Sequence, residues 1–472
     1  MRSTWRFAGT LVVLLLVAPS ARARDGAGPL SPVALATAER LRDQAIGGSG
    51  AIDLVRSLTT EVGPRLAGSP GDAAAVAWGL RTMTALGLAN VHSEPVKVPH
   101  WVRGEERAAI VQPYPQPVAV LALGGSVGTP AGGVEAEVVR VESLAALDRL
   151  DAAQVRGRIV FFDVKTRRAR DVEGYAEAVP VRGGGASAAA LKGAVAVVIR
   201  SIGTDHNRLP HTGGVRYADG VARIPAAALS IPDADLLAAE VATGKPVRLH
   251  LELGARELPE ADSANVVGEV PGGAAAAEIV LLGCHLDSWD PGTGALDDAA
   301  GCAIVLETAR QLRALPQPPR RTVRVVLFAN EEHGLSGGRA YAAAHRDEAG
   351  RTVVAAEADL GAGRIWQVYG PRGDAAAPAM AAIARLLAPL GIEHAADRDD
   401  GEGADLIPLR DLGVPTVSLV HDASDYFDYH HTANDTADKV DPKSLGQCVA
   451  AYLGLTAAVA DSGMMFRAPA RR

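Results

Sequence analysis

From about Ser263 to its C-terminus the chain alternates strand-like and helix-like segments, and that rhythm permits few architectures. Apolar runs at 278–283, 322–329, 353–357, 365–369 and 416–420 read as strands, and 299–315, 337–345, 377–390 and 442–460 read as helices. Such alternation predicts an α/β fold, a doubly wound and mostly parallel sheet with helices on both faces. Upstream, 33–45, 50–60 and 71–87 read as helices around the turn Val62-Gly63-Pro64-Arg65-Leu66-Ala67-Gly68-Ser69-Pro70, followed by a strand near 91–98. Between 106 and 252 the text changes to short apolar strands, among them 118–123, 158–162, 195–199 and 247–251, joined by glycine-rich links. A separate β-rich module is expected there, so the chain divides into 1–23, 24–105, 106–252 and 253–472.

In a doubly wound sheet, ligands collect beyond the carboxyl ends of the strands. The strand at 278–283 runs out into Cys284-His285-Leu286-Asp287, that at 322–329 into Asn330-Glu331-Glu332, and that at 353–357 into Ala358-Asp359. A loop after 416–420 carries His431, and Asp297 precedes the helix that starts near Ala299. One such histidine or acidic pair is ordinarily a satisfied polar residue or a helix cap. Five ligand-type residues at one predicted sheet edge are a different matter. Imidazole and carboxylate are ordinary zinc ligands, and a carboxylate shared by two metals holds them about 3.5–4 Å apart, the spacing of hydrolytic two-metal sites. The expected site holds two Zn2+, with Asp297 bridging, His285 and Asp359 completing one position and Glu332 and His431 the other. Asp287 is expected to orient His285, and Glu331 to act as general base toward a water that attacks a peptide carbonyl.

The run His285-Leu286-Asp287-Ser288-Trp289-Asp290-Pro291-Gly292-Thr293-Gly294-Ala295-Leu296-Asp297-Asp298 resembles the metal-binding signature of the carboxypeptidase Q branch of the co-catalytic dizinc peptidases. That family also holds the bacterial aminopeptidases of the Aeromonas and Streptomyces type. Asn330-Glu331-Glu332-His333-Gly334, Glu357-Ala358-Asp359 and His431-Thr432-Ala433-Asn434-Asp435-Thr436 resemble its later blocks. The resemblance implies the zinc exopeptidase fold, a protease-associated domain at 106–252, and the same ligand and base roles. It selects His431 over His430 and implies a cis peptide between Asp297 and Asp298. It also suggests that Tyr426 hydrogen-bonds the oxyanion, although an aromatic core residue reads equally well. The segment Gly401-Glu402-Gly403-Ala404-Asp405 resembles a substrate-proximal loop and reads equally as a plain turn.

Arg2 and Arg6 ahead of the apolar run Leu11 to Ala18, with Ala21-Arg22-Ala23 after it, read as a cleaved secretory signal. No later run approaches the roughly 20 apolar residues of a membrane span, so a secreted or periplasmic protein is expected. Removing Arg2, Arg6 and Arg22 takes the formal charge from −8 to −8 − 3 = −11, which argues against nucleic acid as a partner. Three cysteines cannot build a disulfide framework, and Cys284, Cys302 and Cys448 are expected to be buried free thiols. The leading function is hydrolysis of dipeptides or short peptides from one end. Aminopeptidase action is the alternative, ahead of a catalytically silent receptor-like protein or a single-zinc glutaminyl cyclase. The inserted module is expected to shape access to the site or to mediate assembly, for which a homodimer is the simplest form.

Overall fold

The computed structural model describes residues 1, 30–399, 401 and 403–467; apart from Met1, the segment read as a signal lies outside the described residues. The core is a five-stranded sheet in the order Ala89–Val102, Arg256–Val270, Arg321–Phe328, Ala275–His285, Thr352–Glu357. Strand Ala275–His285 lies parallel to both of its neighbours. Its side chains alternate between two apolar layers, as the twofold period of a strand requires. Val280, Leu282 and Cys284 join the cluster built with helices Ala300–Arg313 and Pro442–Ala460, whereas Ile279 and Leu281 join the one containing Tyr341 and Leu409. Burial on both faces explains why Arg321–Phe328 is buried at every position.

The sheet is mixed, not mostly parallel. Strand Arg256–Val270 runs antiparallel to Arg321–Phe328 and to Ala89–Val102. The chain leaves the core at Val102 and returns at Arg256, paired with each other, and adjacent exit and return demand an antiparallel pair. On the far side, a parallel bridge between Ala355 and Thr416 attaches a three-stranded sheet, Glu393–His394, Ile365–Tyr369 and Ser418–His421. Helix Pro442–Ala460 starts on Asp441, whose side chain accepts from Ser444 N–H, and is buried from Leu445 onward; a helix apolar on all sides belongs inside. Among the described residues no helix is long and apolar enough to cross a membrane.

Between those two points the chain builds an eight-stranded sheet of its own, with one apolar layer on each face: Ile159, Phe161 and Val198 on one, Val160, Phe162 and Val197 on the other. The strand reading of this region is incomplete. Helices Leu144–Asp148, Glu173–Leu191 and Ile231–Ala242 cover the sheet. Glu173–Leu191 contains Pro180 and Gly183-Gly184-Gly185, residues that weaken an isolated helix. Tertiary contact overrides propensity here, because a Cβ on Gly185 would stand 2.8 Å from the Phe162 ring. Glycine lets the helix lie close on the sheet.

The cysteine expectation is overturned as well. Cys284 and Cys302 form a disulfide with their Cα atoms 5.1 Å apart, and only Cys448 is a free, buried thiol. Cys284 is the next-to-last residue of the central strand and Cys302 sits in the first turn of the helix packed on it, so the pair meets through the fold and not through a spacing visible in sequence.

Candidate metal centre

Parallel pairing brings the tips of three strands to one edge. His285 closes Ala275–His285, Glu331 and Glu332 follow Arg321–Phe328, and Asp359 follows Thr352–Glu357. Asp297 and Asp298, both with non-helical backbone angles, lie in the kinked turn Ala295–Ala299 before helix Ala300–Arg313 and are joined by a cis peptide bond. Gly294 begins that turn with φ 58°, and a Cβ there would meet Ser288 at 2.4 Å. His431, with φ 63°, arrives from the loop after Ser418–His421.

These side chains converge around Asp297. Its Oδ1 lies 3.0 Å from His285 Nε2, and its Oδ2 lies 3.2 Å from His431 Nε2. His285 Nε2 is also 3.3 Å from Asp359 Oδ1, and His431 Nε2 is 3.0 Å from Glu332 Oε2. Two ligand atoms on one tetrahedral zinc, each about 2.0–2.1 Å from it, stand about 3.3–3.4 Å apart, so these separations suit donors sharing a cation. Each histidine has its own outer carboxylate and its own oxygen of Asp297. Glu332 Oε1 is buried without a hydrogen-bond partner, a further free donor. The residues therefore fit metal ions. His430 is farther out, its Nε2 3.5 Å from Asp297 Oδ2, and its ring stacks 3.5 Å from that of His431.

A surrounding frame holds these donors. Asp298 accepts from the backbone N–H groups of His285 and Gly301, at 3.1 and 3.0 Å. Asp435 accepts from those of Leu296 and Asp297, at 2.6 and 3.1 Å. Arg65, fully buried, donates to the carbonyls of Leu286, Thr293 and Gly294 and ties together the loop that carries the ligands. Sequence reasoning gave no role to Arg65, Asp298 or Asp435; the last two lie in the quoted motifs, and Arg65 in a segment read only as a turn. Asp287 faces the Nδ1 of His285 and reaches Glu331 as well. His285 Nδ1 faces the Asp287 carbonyl at 3.1 Å, while the carboxylate, 3.5 Å away, accepts from Glu331 N–H at 3.0 Å.

The electrostatics call for positive charge. Burial, then the neighbouring Asp359, pushes Glu331 well above the usual carboxylate range. Burial, then Asp297, pushes Glu332 up to about 7. Asp297 goes the other way: burial would raise it, but the hydrogen bonds from His285 and His431 hold it well below. Arg65 brings one positive charge against the buried acids Asp297, Asp298, Glu331, Glu332 and Asp359, and divalent cations would supply the rest. Tyr426, buried between Gly361 and His430, also lines a cavity of about 520 Å³ together with Arg170, Trp366 and Lys439.

The inserted region reaches the centre, which sequence reasoning did not anticipate at residue level. Thr212 donates its N–H to the His431 carbonyl at 3.1 Å, and the His431 Nδ1 faces the Thr212 carbonyl at 3.3 Å. His211 bonds the His430 carbonyl at 2.7 Å, and Arg103 grips Asp290 through two nitrogens at 2.8 and 2.5 Å.

Carboxylates and imidazoles gathered at the strand tips of such a sheet define a metal-dependent hydrolase, and residues 265–456 match Peptidase family M28. The chain belongs to that family of metallopeptidases. More particularly, it is 37% identical to carboxypeptidase Q of Mus musculus over 86% of this chain and 85% of that protein. To carboxypeptidase Q of Homo sapiens it is 36% identical over 86% and 84%. A peptidase M28 precursor from Shewanella amazonensis, solved as a crystal structure, matches with TM-score 0.90 and 48% identity over 93% of this chain and 99% of that one. A zinc aminopeptidase from Bacillus subtilis shares the fold, with TM-score 0.63 and 18% identity over 88% and 98%.

Proposed function

We propose that the chain is an exported dizinc exopeptidase that cleaves dipeptides or short peptides, as the kinship with carboxypeptidase Q suggests. His285 and Asp359 would hold one zinc and Glu332 and His431 the other, with Asp297 shared between them. The observation that carries this reading is the placement of the two Asp297 oxygens 3.0 and 3.2 Å from two different imidazoles. Zinc in such a pair polarises a peptide carbonyl and brings the pKa of water down to about 7. Glu331, fixed through its backbone N–H by Asp287, takes the proton of the attacking water and passes it to the leaving amine. Tyr426 hydrogen-bonds the oxyanion. Residues 1–23 direct export, and 106–252 form a protease-associated domain that walls the site.

Metal analysis combined with substrate blocking tests this reading. The expected results are about two zinc ions per chain and hydrolysis of a free dipeptide. Undiminished cleavage of the N-acetyl dipeptide excludes aminopeptidase action, and undiminished cleavage of the C-terminal amide excludes dependence on the carboxylate. One tightly bound zinc with cyclisation of N-terminal glutamine overturns the proposal in favour of a glutaminyl cyclase.

A further inference from the structure

Arg182 is the unexplained cation of the site. It stands in helix Glu173–Leu191 of the insert, with its guanidinium carbon 5.3 Å from the Tyr175 ring centroid. Tyr175 in turn stacks on Phe427 at 4.6 Å and meets the His430 ring edge-on at 5.0 Å, and His430 lies against His431. Three ring contacts thus lead from Arg182 to a proposed zinc ligand. The same guanidinium fills the space beside Gly213, whose φ is 127°: a Cβ there would lie 2.4 Å from Arg182 Nη1. Gly213 directly follows Thr212, the residue bonded to His431. Only a glycine leaves room for the guanidinium at this place.

Arg182 also shares a side-chain hydrogen bond with Tyr175, which does not use up its donors. Its Nε is buried without a hydrogen-bond partner, and among the described residues no carboxylate pairs with it. Arg65 makes an instructive contrast, since all three of its nitrogens donate to carbonyls. A buried polar donor left unpaired is unfavourable by itself and calls for a partner. The guanidinium fork matches a carboxylate in two-point geometry, whereas the acids around the metal centre repel one and the cations Arg65 and Arg103 are already engaged, with carbonyls and with Asp290.

The geometry points to Arg182 as the residue that grips the free α-carboxylate of the peptide substrate, so that the insert reads the C-terminal end of what the metal centre cleaves. This inference rests on the exopeptidase reading above and adds to it the end of the peptide that is recognised and the residue that recognises it.

The test compares zinc-loaded wild type, Arg182→Gln and Arg182→Lys on alanyl-leucine and on its C-terminal amide. Loss of a charge-assisted two-point contact is expected to raise KM for the free dipeptide at least about tenfold in Arg182→Gln, with kcat, zinc content and all parameters for the amide unchanged. Lysine keeps the charge without the fork and recovers part of the loss. In the Glu331→Gln background, calorimetric binding of alanyl-leucine should weaken by the same factor on adding Arg182→Gln. Equal losses on acid and amide, or no loss on the acid, overturn the role of Arg182 while leaving the exopeptidase reading intact. A wild type inactive on both peptides overturns that reading and the role of Arg182 with it.

Discussion

The imidazole of His431 turns its Nδ1 to the carbonyl of Thr212, 3.3 Å away across the boundary between the insert and the peptidase core. A ligating histidine is oriented by whatever its second ring nitrogen bonds, and loss of such a contact typically weakens metal binding 10–100-fold. Both contacts between these residues use the Thr212 backbone, the other being its N–H to the His431 carbonyl at 3.1 Å. Thr212→Pro, which removes that N–H, is therefore expected to weaken zinc binding by about tenfold or more. Thr212→Ala, which keeps the backbone, should bind zinc almost as tightly as wild type. Chelator competition measures both, and equal affinities for the two variants would show that the insert does not orient His431.

Asp297 faces both histidines, so its removal should act on both metal positions. Asp297→Ala is expected to drop zinc content well below that of His285→Ala or His431→Ala, each of which strips one position. Atomic emission on dialysed protein reads this directly. Full zinc retention in Asp297→Ala would mean that the carboxylate bridges nothing.

Glu331 is the acid whose loss should leave the metal in place. Its side chain makes no direct pair with either histidine, and its backbone N–H is bonded to Asp287. Glu331→Gln keeps shape and loses the proton acceptor, so kcat should fall by about 10²–10⁴ at unchanged zinc content. Turnover near wild type would remove Glu331 from the chemistry.

How much of this was legible in the sequence depended on which contacts carried the structure. Strands Ala275–His285 and Arg321–Phe328 were readable because burial on both faces demands unbroken apolar runs, and the acids and histidines at their tips stand out against those runs. Strand Arg256–Val270 was not legible: residues 256–260 are exposed and held by pairing with Ala89–Val102, and the buried stretch that follows is interrupted by Asn265, Gly268 and Glu269, so no unbroken apolar run marks it. Helix Glu173–Leu191 was hidden by Pro180 and a run of three glycines, of which Gly185 is the one whose missing side chain lets the helix lie against Phe162. Arg65, Asp298, Asp435 and Thr212 act through backbone N–H and carbonyl groups, for which no sequence pattern exists. The disulfide was misjudged because three cysteines give an odd count, and the count does not say which two a strand and its covering helix bring together.

That pairing makes a direct prediction for thiol chemistry. Denatured, unreduced protein should expose one reactive thiol per chain, from Cys448, and three after reduction. Closing an 18-residue separation stabilises by about 3 kcal/mol in the chain-entropy account. Cys302→Ala should accordingly unfold at lower temperature than wild type. Three thiols before reduction would restore the free-cysteine reading.

His421 sets an acid limit on stability. It is buried beside Cys448 and the ring of Tyr452, and burial brings its pKa down to about 4 from 6.5. The folded state thus binds a proton less readily than the unfolded chain. Its contribution is complete above pH 6.5 and is lost progressively as the pH falls toward 4, amounting to about 3 kcal/mol at 1.36 kcal/mol per unit. His421→Gln cannot titrate, so its unfolding free energy should decline less steeply than that of wild type between pH 6.5 and 4. Metal release at low pH is common to both proteins and cancels in the difference. Urea unfolding at pH 7, 5.5 and 4.5 reads the two slopes, and parallel curves would show that His421 takes up its proton as easily inside the fold as outside it.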